Sequence, residues 1–135
     1  MSQFKFLFVS AFAASLALPF VARADSAQCE LHAFKANRVE PLRIQERIGR
    51  TTIEKLAGAQ VFVPAQKGLT AEWLRARVEQ HISGMAAQGM ANCPLSVKGL
   101  RVAVASGGTG FWVQLQAKDS DTAREVLRLA RAAVR

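Results

Sequence analysis

Leu100 to Gln116 reads LRVAVASGGTGFWVQLQ. Leu100, Val102 and Val104 alternate with Arg101, Ala103 and Ala105. After Ser106-Gly107-Gly108-Thr109-Gly110 the alternation resumes, with Phe111, Val113 and Leu115 set against Trp112, Gln114 and Gln116. A period of two places each set on one face of a strand, and two such runs around a glycine-rich link predict a β-hairpin. The link lacks the Lys-Ser/Thr ending of a phosphate-binding loop and opens no helix, so its glycines are read as turn residues.

On the C-terminal side, Asp119-Ser120-Asp121 caps a last helix that runs to about Val134. Its core face is Ala123, Val126, Leu127, Ala130 and Val134. On the N-terminal side, Thr70 is the N-cap of a second helix, with Glu72 in its positive first turn. Leu69 and Leu74 have the spacing of a hydrophobic staple. Leu74, Val78, His81, Ile82 and Met85 share one face of this helix, and Gly89 ends it. Gln60 to Val63, stopped by Pro64, reads as a strand. Thr51-Thr52-Ile53-Glu54 matches an S/T-x-x-E capping box and predicts a short helix over Ile53–Ala57 that stops at Gly58. A short strand is expected at Pro41–Ile44, and residues 25–40 read as an arm.

The expected fold is therefore α/β, in the α+β sense: a small β-α-β-β-α sandwich preceded by an arm and a short helix. In element order it is similar to ferredoxin-like modules, which include heavy-metal-associated domains and some peptidoglycan-binding domains. The heavy-metal motif, two cysteines two residues apart, is absent, and a fold does not assign a function.

The first residues, MSQFKFLFVSAFAASLALPFVARADS, read as a secretory signal peptide. Lys5 gives a positive start, Phe6 to Val21 an apolar run, and Ala22-Arg23-Ala24 a cleavage site. The run is shorter than the ~20 residues of a spanning helix. The domain plan is thus a signal at 1–24, an arm at 25–40 and one α/β domain at 41–135, with no membrane span after cleavage. Loss of the signal removes two cations and no acid, taking the formal net charge from +8 to +6. An exported basic protein of this kind, periplasmic or secreted, suits an anionic envelope polymer, lipid headgroups or an acidic protein as partner. Nucleic acid is not expected there. The two cysteines, Cys29 and Cys93, are expected to form one disulfide, closing a loop of about 64 residues.

Enzyme chemistry finds no support: the chain has no H-E-x-x-H, no G-x-S-x-G and no framed carboxylate pair. The expectation is a non-catalytic binding or accessory domain without a cofactor. The alternative is a periplasmic copper-binding protein. His81, Met85, Met90 and Cys93 fall within thirteen residues, and a Cys29–Cys93 bond brings His32 towards Met90; His and thioether ligands suit copper. With reduced cysteines, Cys29, His32, His81 and Cys93 instead form a zinc-type set. The plainer reading is a core Met and a His at the core edge.

Two surface features remain. Arg124, Arg128, Arg131 and Arg135 form one stripe along the last helix, either a solvated face or a docking strip for carboxylates and phosphates. Trp112 falls on the hairpin face opposite Val113 and Leu115; on an open face it would be an exposed aromatic of the kind common at interaction sites, but it is expected instead to anchor the arm or the short helix across that face. Mass spectrometry of the exported protein is expected to show a chain beginning at Asp25; retention of Met1 would exclude the signal-peptide reading.

Overall fold

The structure is a computed structural model that describes residues 29–88, 90 and 92–134. Residues 1–24, read above as a signal peptide, and Arg135 lie outside the described residues. Glu30–Ala33 form a single turn, α1. Strands β1 (Arg38–Ile48) and β2 (Thr51–Pro64) follow, then helix α2 (Ala71–Gln88), a 3₁₀ turn (Pro94–Ser96), strands β3 (Arg101–Ser106) and β4 (Gly110–Gln116), and helix α3 (Ser120–Ala133). The four strands form one antiparallel sheet in the order β1-β2-β4-β3. β2 and β3 are therefore parallel, with β4 between them.

The β3–β4 hairpin follows the sequence pattern. Val104 pairs with Val113, and Ala105 with Trp112. Both helix starts are capped as their sequences require: the Trp73 amide donates to Thr70 Oγ1 and the Thr122 amide to Asp119 Oδ1. On α3 the core face is rotated slightly from the expected one. Leu129 and Ala133 are buried beside Ala123, Val126 and Ala130, whereas Leu127 and Val134 are half-buried at its margin.

Three expectations upstream are corrected. Residues 53–57 are not helical, because Thr51–Pro64 is one continuous strand. The capping-box pattern is a local signal, and a five-residue helix is too short to stand on its own. Against it stand β-branched Thr51, Thr52 and Ile53, full pairing with β1, and cross-strand ion pairs Arg43–Glu54 (3.5 Å) and Lys55–Glu46 (3.4 Å). Gly49, at φ 62°, opens the two-residue turn that sets this register. The strand expected at 41–44 is the middle of an eleven-residue strand. Nor is 29–40 a featureless arm: it holds α1 and the start of β1.

Between Leu42–Gly58 and Arg43–Leu56 the pairing skips Ala57, a bulge that bends the ribbon. Gly58 sits there because a Cβ would collide with the Leu115 carbonyl. Beyond this point β4 no longer flanks β2, so Arg43–Leu56 continues as a two-stranded arm.

The core lies between the helices and one face of the sheet. Ala59, Val61 and Val63 of β2 and Val113 and Leu115 of β4 meet Leu74 and Val78 of α2, and Val126 and Ala130 of α3. Leu31, Phe34 and Leu95 join the same cluster. Leu31 is fully buried although it belongs to a single helical turn, because the Cys29–Cys93 disulfide holds that turn against the 3₁₀ segment. Glu30 adds an ion pair to Arg77 at 2.6 Å. Replacing either cysteine by Ser should lower unfolding free energy by about 2–5 kcal/mol, read from urea denaturation of oxidised wild type and variant. Equal stabilities would show that the bond does not hold α1 in place.

Candidate functional site: the uncovered face of the sheet

Alternation along the central strands gives the sheet two unlike faces. Core residues take one. The other carries, row by row, Arg38–Phe62–Trp112–Ala105, then Glu40–Gln60–Gln114–Ala103, then Leu42–Gly58–Gln116–Arg101. Both helices and α1 pack on the core side, so no element among the described residues covers these rows. No arm lies across Trp112 as expected; Arg38, from the segment read as an arm, reaches it from within β1. Phe34 of α1 instead meets Trp73 of α2, with ring centroids 5.9 Å apart.

Trp112 has a different partner. Its ring lies 5.0 Å from that of Phe62, its directly opposed neighbour on β2. The Arg38 guanidinium sits over both rings, 4.8 Å from the Phe62 centroid and 5.0 Å from the Trp112 centroid. Cation–π attraction of this kind fixes a planar cation above an aromatic base. Gly107 closes the end of the stack, since a Cβ there would run into the indole of Trp112. Arg38 has no carboxylate partner within ion-pair distance among the described residues. Phe62 is 5 % exposed, while the arginine above it is exposed.

The middle row is polar and carries one charge, the Glu40 carboxylate, which accepts from Gln60 Nε2 at 3.3 Å; Gln114 lies beside them. At the far end, a shallow cavity of about 220 Å³ is lined by Gly99, Arg101, Gln116, Ala117 and Lys118. Its two cations are likewise without an ion-pair partner among the described residues. The Arg38 and Arg101 rows are four residues apart along the strands, roughly 14 Å at ~3.4 Å per residue. The face thus offers hydrogen-bond donors and acceptors between two cationic ends.

The sequence-derived candidates fall elsewhere. Arg124, Arg128 and Arg131 are exposed on α3, on the opposite side of the molecule. Arg124 pairs with Asp121, and Arg128 makes a two-pronged contact with Glu125 at 2.8 and 2.6 Å. The hydrogen bond from Arg128 holds the Glu125 carboxyl below its ordinary pKa. Much of the stripe's charge is therefore matched within the helix.

The copper candidates are not assembled into one set by the described geometry. His32 is exposed on α1, and Met90 is half-buried against the core. Met85 lies in α2, with its side chain outside the described residues. Both thiols are consumed in the disulfide, which removes the Cys2His2 zinc set. Among the described residues no three His, Cys, Asp or Glu side chains cluster as a metal site. His81 is half-buried beside Glu30, with Nδ1 3.7 Å from Oε2.

Comparison of the chain with protein-family models, curated proteins and solved structures finds no match in any of the three. Among the described residues no helix is long and apolar enough to cross a membrane.

Burial pushes the His81 pKa below 6.5, against the opposing pull of Glu30 and with a smaller contribution from Arg77. A depressed imidazole pKa means that the folded chain binds fewer protons than the unfolded one just below 6.5, so stability falls as pH drops through that range. An NMR titration should place the His81 midpoint below 6.5, with Glu30→Gln lowering it further and Arg77→Gln raising it. A midpoint above 6.5 would show that Glu30 dominates instead.

Proposed function

We propose that this chain is a non-catalytic binding domain of an oxidising, exported compartment, and that it holds an acidic polymer along the uncovered face of its sheet. One observation carries this reading: Arg38 stands over Phe62 and Trp112, and among the described residues no carboxylate lies within ion-pair distance of it. A desolvating aromatic base under a free guanidinium suits a carboxylate or phosphate, which Arg meets with two parallel hydrogen bonds. Arg101 and Lys118 offer a second anion position, and Gln60, Gln114 and Gln116 suit neutral polar groups between the two. An extended chain with repeated charges satisfies such spacing better than a compact ligand.

The disulfide supports an oxidising environment, where acidic envelope polymers are common partners and nucleic acid is not. Within this reading the β2-α2-β3-β4-α3 run is the ferredoxin-like part of the sandwich, with β1 as an added edge strand beside β2. The α3 stripe is a secondary contact, since two of its arginines already hold acids.

Calorimetric titration with a polyuronate over a salt series tests the proposal. The double variant Arg38→Gln, Trp112→Ala should weaken binding by at least about tenfold, the factor that corresponds to 1.4 kcal/mol. The α3 variant Arg124→Gln, Arg128→Gln, Arg131→Gln should change it far less. The reverse ranking would move the site to the helix, and no salt-sensitive binding by wild type would reject the proposal.

A further inference from the structure

The two-stranded arm formed by Arg43–Leu56 has a surface unlike the rest of the molecule. At about 3.4 Å per residue its six-residue strands extend roughly 20 Å past the point where β4 leaves the sheet. Along its stem the charges cancel: Arg43 pairs with Glu54 and Lys55 with Glu46. Near the turn they do not. Arg47 and Arg50 have no ion-pair partner among the described residues, and Arg47 Nε donates to the Gly49 carbonyl instead. Between these two arginines Ile48 is 59 % exposed, the most exposed large apolar residue among those described.

Ile48 is not isolated. Ile44, Glu46 and Ile48 share one face of β1, and Ile53 is paired with Glu46 on that same face. Ile44 and Ile53 are also exposed. A half-neutral stem with an apolar stripe, ending in one bare isoleucine between two free cations, has the charge layout of a membrane-contact element. Apolar groups enter the boundary between headgroups and acyl chains while flanking cations meet anionic headgroups. The turn is a narrow apex, with Gly49 and Arg50 joining the paired Ile48 and Thr51.

We propose that this apex, Arg47–Arg50, docks on an anionic lipid bilayer with Ile48 inserted at its boundary. The contact is independent of polymer binding: it uses none of Arg38, Phe62, Trp112 or Arg101. It is reversible, because one inserted side chain and two cations fall short of an anchor.

Co-sedimentation of the oxidised protein with vesicles tests this. Wild type should bind vesicles containing phosphatidylglycerol on the order of tenfold better than pure phosphatidylcholine vesicles. Ile48→Ser, and separately Arg47→Gln with Arg50→Gln, should each remove most of that difference, since these exposed positions support no core contact. Arg38→Gln with Trp112→Ala should leave it intact. In the variant Ile48→Trp, tryptophan emission should shift to the blue when phosphatidylglycerol vesicles are added. Vesicle binding unchanged by the arginine pair, or no emission shift, overturns the proposal. A concentration-dependent dimer that Ile48→Ser dissociates, with no vesicle binding by wild type, overturns it in favour of a second copy as the partner.

Discussion

Val61 lies opposite Val113, and Phe62 opposite Trp112. That single register between the two central strands decides which side of the sheet is core and which is open. Because side chains alternate with a period of two, a slip of one residue would send Phe62 towards the helices and Val61 towards solvent. The core cannot accept that exchange: Val61 and Val113 are fully buried among Leu74, Val78, Val126 and Ala130. Burial of small branched residues on one face therefore holds the aromatic pair in place on the other. The hydrophobic effect supplies the force, and the uncovered face inherits its geometry from it.

The helices do not close the core on their own. Leu31 and Phe34 of α1 belong to the same buried cluster as Leu74 and Val78 of α2 and Leu95 of the 3₁₀ turn. A four-residue helix has no stability of its own. It stays because one end is covalently tied at Cys29 and Glu30 is paired with Arg77. His81 marks the edge of this seal, half-buried, its Nε2 without a hydrogen-bond partner among the described residues.

The sequence made the C-terminal half legible because its signals are local and agree with one another. Alternation, turn glycines and cap residues all pointed to the β3–β4 hairpin, α2 and α3. The N-terminal half was harder because its decisive partners are remote. Thr51–Glu54 satisfies a helix-start pattern by itself, and only pairing with Arg43–Ile48 turns it into strand. Long-range pairing overrides propensity in such cases. The uncovered face was half visible. Trp112 stood out by alternation, but Arg38 and Phe62 lie far from it in the chain, and Arg38 was read as part of an arm. Sequence proximity favoured the arginines of α3, whose nearest acids, Asp121 and Glu125, take up two of them.

The covalent tie has a consequence for how the chain matures. Between the two cysteines of this sequence a single intramolecular pairing exists, so they leave an isomerase nothing to sort. What the chain needs is an oxidant acting after Cys29 and Cys93 have met, and they are 64 residues apart. Closing a loop of that length costs chain entropy before the bond can form. Until then each thiol is open to a thiol of another molecule. Crowding of nascent chains, more than wrong connectivity within one chain, is the hazard this architecture has to escape.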